Sequence, residues 1–76
     1  MRSDPLTAID TATRHQQQLR NLAMFWELRV QVDVIVTQTG IVYRVCVGPD
    51  SVLFSGLTDT HNALQLLHIA KEHEHA

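Results

Sequence analysis

The feature that most constrains this chain is the alternation between residues 28 and 37. Leu28, Val30, Val32, Val34 and Val36 alternate with Arg29, Gln31, Asp33, Ile35 and Thr37. Apolar, mostly β-branched residues at period two are the signature of a strand with one face buried and one face open. Such a strand cannot stand alone. It needs partners along its edges and an apolar layer over its even-numbered side chains.

The following residues supply the partners. Thr39-Gly40 is expected to form a tight turn, with Gly able to take a positive φ. A second strand then runs from Ile41 to Val47, with Ile41, Tyr43, Val45 and Val47 on one face and Val42, Arg44 and Cys46 on the other. Gly48-Pro49-Asp50-Ser51 reads as the next turn, and a short third strand is expected over Ser51–Ser55. With Thr39-Gly40 and Pro49-Asp50 as the two loops, Val34 faces Val45, Val32 faces Val47, and Val45 faces Phe54. All of these pairs fall on the apolar face. A slip of one residue would destroy that agreement, whereas a slip of two in the first hairpin would preserve it.

Two flanking segments have helical periodicity and are expected to cover the sheet. In the first, Asp4 is a candidate cap and Pro5 suits the first helical position. From there Ile9, Ala12, Gln16, Leu19, Ala23 and Trp26 recur at three- and four-residue spacing, which predicts a helix over 5–26 with a polar interruption at Gln16. The second helix is expected to start near Thr58 or Asp59 and to fray after His73. Ala63, Leu66, Leu67 and Ala70 form its apolar stripe, widened by Leu64 and Ile69, with His61, Gln65, His68, Glu72 and His75 on the opposite face. The expected fold is α+β: helix, three-stranded antiparallel meander, helix, with both helices on one face of the sheet. The 76 residues make one domain, 1–76.

Composition narrows the function classes. Eight acids stand against six Lys plus Arg, which weighs against a partner held by phosphate neutralisation. A single cysteine, Cys46, rules out an internal disulfide. No apolar h-region follows the N-terminal Met1-Arg2-Ser3-Asp4-Pro5, and the apolar run Leu22–Trp26 is far short of the ~20 residues that span a bilayer. A cytoplasmic protein with a reduced thiol and no membrane contact is therefore expected.

No catalytic or cofactor motif is present. There is no Gly-rich phosphate loop, paired-carboxylate motif or Ser–His–Asp spacing, so no enzyme activity and no cofactor are expected. His61, His68 and His75 are seven residues apart, about 10.5 Å along a helix, too far for one metal ion. His68, Glu72 and His75 form a tighter set that offers zinc or nickel three ligands. The plainer reading is a solvated face, with His favoured near a helix C-terminus, and no metal ligand is assigned.

The element order is similar to that of the double-stranded-RNA-binding fold. That family carries a Lys-rich cluster at the junction of third strand and helix. Here the junction, Gly56-Leu57-Thr58-Asp59-Thr60-His61-Asn62-Ala63, holds no Lys or Arg. Nucleic-acid binding thus stands as a rival reading on element order alone.

The favoured expectation is a small non-enzymatic interaction module, homodimeric, that binds another protein, as regulators or inhibitors of phage or mobile-element type do. Ile35, Val42, Cys46 and Leu53 are expected on the outer face of the sheet, with Arg29, Asp33 and Arg44 around them. That arrangement of apolar centre and polar rim is common at interfaces. The candidate contact residues are Ile35, Val42, Arg44, Cys46 and Leu53, with Phe25 as an outlier. Cys46 is expected opposite Asp33, where a carboxylate discourages thiolate formation. The long strand 28–37 would also expose an edge, a second route to two-fold pairing.

Overall fold

The computed structural model of the chain describes residues 5–74. Its elements are α1 (Pro5–Phe25), β1 (Val30–Thr37), β2 (Gly40–Val47), β3 (Asp50–Phe54) and α2 (Leu57–Glu74). The strands form one antiparallel sheet in the order β1-β2-β3, so the α+β fold and its element order agree with the sequence. Asp4, the expected cap of α1, and His75 lie outside the described residues.

Both hairpins close two residues away from the expected register. Thr37 pairs with Gly40 and Val32 with Val45, so the first loop is Gln38-Thr39. Val47 pairs with Asp50 and Val45 with Val52, so the second loop is Gly48-Pro49. The apolar face is untouched, because a slide of two keeps every side chain on its side. Turn chemistry explains the second slide. Gly48 has φ 59°, which suits the first position of a two-residue II′ loop, with Pro following at negative φ. Gly40 also has a positive φ, 137°, but it closes the first loop instead of forming part of it. There, Thr37 Oγ1 donates to the Gly40 carbonyl at 2.7 Å.

The core is small. Leu19, Val32, Tyr43, Val45 and Leu64 form its buried cluster, with Leu22, Trp26, Leu28, Val34, Phe54 and Leu67 among the residues packed around it. On α1 the buried residues are Ala12, Leu19 and Ala23, as the stripe predicts. Ile9, expected on that stripe, is 53% exposed, because α1 runs on past the sheet at that end.

The C-terminus of α1 is built without a glycine. Glu27 takes φ 55°. Leu28 N–H donates to the Ala23 carbonyl at 2.8 Å, and Glu27 N–H to that of Met24 at 3.0 Å. This is the Schellman pattern, with Glu27 in the left-handed position that glycine usually fills. From the other helix, Lys71 Nζ donates to the carbonyls of Glu27 at 2.7 Å and Trp26 at 3.3 Å, meeting part of the acceptor demand at that helix end.

The orientation of α2 departs most from expectation. It starts at Leu57, and the Gly56 carbonyl accepts from both the N–H and the hydroxyl of Thr60, at 3.2 and 2.8 Å. Thr60 and Leu64 are its buried residues. The expected stripe is met in part: Leu64 is buried and Leu67 packs on the core cluster, Ala63 is half-buried, but Leu66 is 66% exposed and Ala70 is exposed. Two residues of the histidine face, His61 and His68, pack against α1, while Gln65 and Glu72 stay exposed as expected. The His68 ring stacks on Trp26 with centroids 4.7 Å apart and planes 5° apart, and His61 meets the same indole edge-on at 6.2 Å. A large aromatic side chain at the end of α1 gains more from flat imidazole surfaces than from a small alanine, and this fixes the rotation of α2.

Candidate interaction surface

The outer sheet face is assembled by register. One cross-strand row joins Ile35 and Val42. The next joins Asp33, Arg44 and Leu53, and the third joins Gln31, Cys46 and Ser51. Five of the six candidate contact residues therefore share one face. Leu53 is 63% exposed, Ile35 is exposed, and Val42, Arg44 and Cys46 are half-buried. Phe25 is 80% exposed, but it belongs to the last residue of α1 and not to the sheet. Cys46 is not opposite Asp33; the two-residue slide gives it Gln31 and Ser51 as neighbours and places Asp33 beside Arg44.

Asp33 is the electrostatic centre of this face. Its two carboxylate oxygens accept from Arg20 Nη2 and Arg44 Nη2, each at 3.0 Å. The hydrogen bond from Arg44 does most to hold its carboxyl below the usual carboxylate value, against partial desolvation, with Arg20 adding to the effect. The same bond raises the Arg44 guanidinium. One acid shared by two arginines leaves a net positive centre beside Ile35, Val42 and Leu53, in a chain of formal charge −2.

Arg20 also closes the β1 edge, a role that the sequence reading missed. Its Nε donates to the Val32 carbonyl at 2.8 Å, and Gln16 Oε1 accepts from Val34 N–H at 2.9 Å. These are two of the outward groups that a neighbouring strand would use, at the middle of β1. An α1 side chain fills each, so the middle of the β1 edge is closed from within, and the expected two-fold pairing through β1 has no free ladder there. The signal was present in the sequence: Gln16 interrupts an apolar stripe, and a polar residue at such a position needs a buried-edge partner.

Among the described residues, no group of three His, Cys, Asp or Glu is placed to hold a metal ion. His68, one of the three expected ligands, is engaged with Trp26, and its Nδ1 is buried without a hydrogen-bond partner. His15 Nδ1 and the Tyr43 hydroxyl share a hydrogen bond at 2.8 Å under α1, and burial raises the Tyr43 phenol. No described helix is long and apolar enough to cross a membrane. Comparisons with protein-family models, curated proteins and solved structures found no match.

Proposed function

We propose that this chain is a non-enzymatic protein-interaction module that acts as a self-associated pair and binds another protein on the outer face of its sheet. The observation that carries this reading is the imbalance between surface and core. The accessible surface is 5769 Å², about 1,000 Å² more than the ~4,700 Å² expected of a folded monomer of this mass. A standard protein interface removes about 800 Å² from each partner. Among the described residues, seven apolar side chains are buried, while eleven large ones are exposed.

The outer face supports a protein partner in particular. Ile35, Val42 and Leu53 provide an apolar centre, and the Arg20–Asp33–Arg44 chain provides a preorganised rim with positive excess. Such a rim selects an acidic partner surface and repels a basic one. A regulator or inhibitor that works by occupying another protein's surface fits this chemistry.

The test is affinity capture from the source cells with the wild type and with Val42→Asp and Ile35→Glu, each checked for an unchanged circular dichroism spectrum. A protein retained by the wild type and lost from both folded variants is expected. An identical set retained by all three would refute the outer face as the binding surface.

A further inference from the structure

The sheet has two edges, and they are unequal. Because Val32 C=O and Val34 N–H bond to α1 side chains, the even-numbered residues of β1 direct their backbone groups away from β2. Alternation then carries through the observed registers. Tyr43, Val45 and Val47 bond towards β3, and Phe54, Val52 and Asp50 bond back. The N–H and C=O groups of Ser51 and Leu53 therefore point outward from the β3 edge. The side chains there are also uncovered, Val52 at 51% exposure on one face and Leu53 at 63% on the other.

We infer that a second copy of this chain pairs with β3 about a two-fold axis at Val52, joining two three-stranded sheets into one of six strands. The inference rests on the self-associated state proposed above and names its geometry. Three observations converge on a second copy as the occupant.

The first is self-complementarity. β3 runs from Asp50 to Phe54, so Val52 is its midpoint. Centring the axis there pairs the whole strand with itself. Ser51 meets Leu53 of the other copy, and Leu53 meets Ser51, using every outward backbone group of the two residues. Asp50 falls opposite Phe54 of the other copy. The two Asp50 carboxylates are then separated by four residues, about 13.6 Å along the strand, beyond the ~8 Å screening length at physiological salt.

The second is α2. It rests against β2 and β3, whereas α1 lies along β1. At about 100° per residue, Leu64 points to the core and His61 and His68 point towards Trp26 on the α1 side. The opposite flank carries Ala63 and Ala70, about 100–120° from Leu64, with Leu66 beyond them at about 160°. This is the stripe that sequence periodicity marks as the apolar side of the helix, and in the single chain its Leu66 and Ala70 are exposed. With the axis at β3, the two α2 helices, each resting on β2 and β3, approach each other across the joined sheet. Small residues at 63 and 70 suit that approach.

The third is area. The ~1,000 Å² surface excess matches the ~800 Å² that one partner contributes to a standard interface. Part of the excess lies on the overhanging end of α1 around Leu6 and Ile9, and on this side Val52, Leu53 and Leu66, at 51%, 63% and 66% exposure, supply the apolar surface that a partner copy would cover. The outer faces of both sheets then join into one surface, with Leu53 of the two copies near its centre.

The test uses the full chain in sedimentation equilibrium, with the wild type expected at twice 8.6 kDa. Ser51→Pro removes an outward N–H and leaves the β2–β3 ladder whole, since Pro is tolerated where the N–H faces solvent. It is expected to give a folded monomer, as is Leu66→Glu on α2. A Val52→Cys, Cys46→Ser chain is expected to oxidise to a covalent dimer, because a non-hydrogen-bonded antiparallel pair holds its Cα atoms about 4.5 Å apart, within disulfide range. A dimeric wild type whose Ser51→Pro variant stays dimeric, and whose Val52→Cys form does not cross-link, would overturn the β3 geometry while sparing self-association. A wild type of 8.6 kDa at every concentration would overturn both.

Discussion

Replacing Glu27 with glycine should stabilise the protein, although it removes a side chain that lies near a cation. Glu27 holds φ 55° at the end of α1, a conformation that costs an L-residue about 1–2 kcal/mol. Glycine removes that cost but enlarges the unfolded ensemble, which takes back about 0.4–1 kcal/mol. The lost carboxylate lies 3.9 Å from Lys71 Nζ and is 86% exposed, and an ion pair in that setting contributes little. The bond that matters, from Lys71 Nζ to the Glu27 carbonyl at 2.7 Å, belongs to the backbone and survives. The net expectation is a gain of about 0.5–1 kcal/mol, or a rise of roughly 3–6 °C in Tm for a domain of this size. Urea and thermal melts at one fixed protein concentration, with an unchanged m-value, measure it. Glu27→Ala, which keeps the left-handed strain, should not gain. A destabilised Glu27→Gly, or an equal gain from Glu27→Ala, would refute the assignment of strain to this helix end.

The remaining predictions concern the core, the ionic centre and the rotation of α2. Leu64→Ala, at a position with no exposed surface, should cost about 2–5 kcal/mol in urea unfolding, a large share of the ~4–11 kcal/mol available to a chain of this length. Asp33 has a folded value below its ordinary 3.8, so its contribution is fully present above that pH and is lost as pH falls through the lowered value. Stability against pH should therefore fall more steeply below about pH 4 in the wild type than in Asp33→Asn, and parallel curves would contradict the Arg20–Asp33–Arg44 chain. His68→Ala should red-shift the emission of Trp26, the one tryptophan, by uncovering its face, while Leu66→Ala should not. The reverse pattern would return α2 to the rotation that periodicity suggests.

What the sequence made legible was parity, and what it concealed was choice among equivalents. The alternation at 28–36 assigned every strand residue to its face, and the structure keeps those assignments. Register was open because a two-residue slide costs no burial; in the second hairpin Gly48, at φ 59°, takes the first loop position and sets it. The rotation of α2 was misread because the apolar stripe was assumed to meet the core of its own chain. Leu64 and Leu67 of that stripe do meet it, but Thr60 joins them in place of Leu66 and Ala70, and Trp26 takes His61 and His68 as packing surface. On the outer face, five candidate residues came together from parity alone. The closure of the β1 edge by Gln16 and Arg20 depends on side chains that reach across from a helix, which strand periodicity does not encode.

Amide hydrogen exchange tests the central claim most directly, because it reads each sheet edge separately. Val34 N–H, held by Gln16, should be protected to the same degree at every protein concentration. Leu53 N–H should be protected when the protein is concentrated and lose that protection on dilution, as the second copy leaves. Fast exchange at Leu53 across the whole concentration range, or concentration dependence at Val34 instead, would contradict an edge closed from within on one side and by a partner copy on the other.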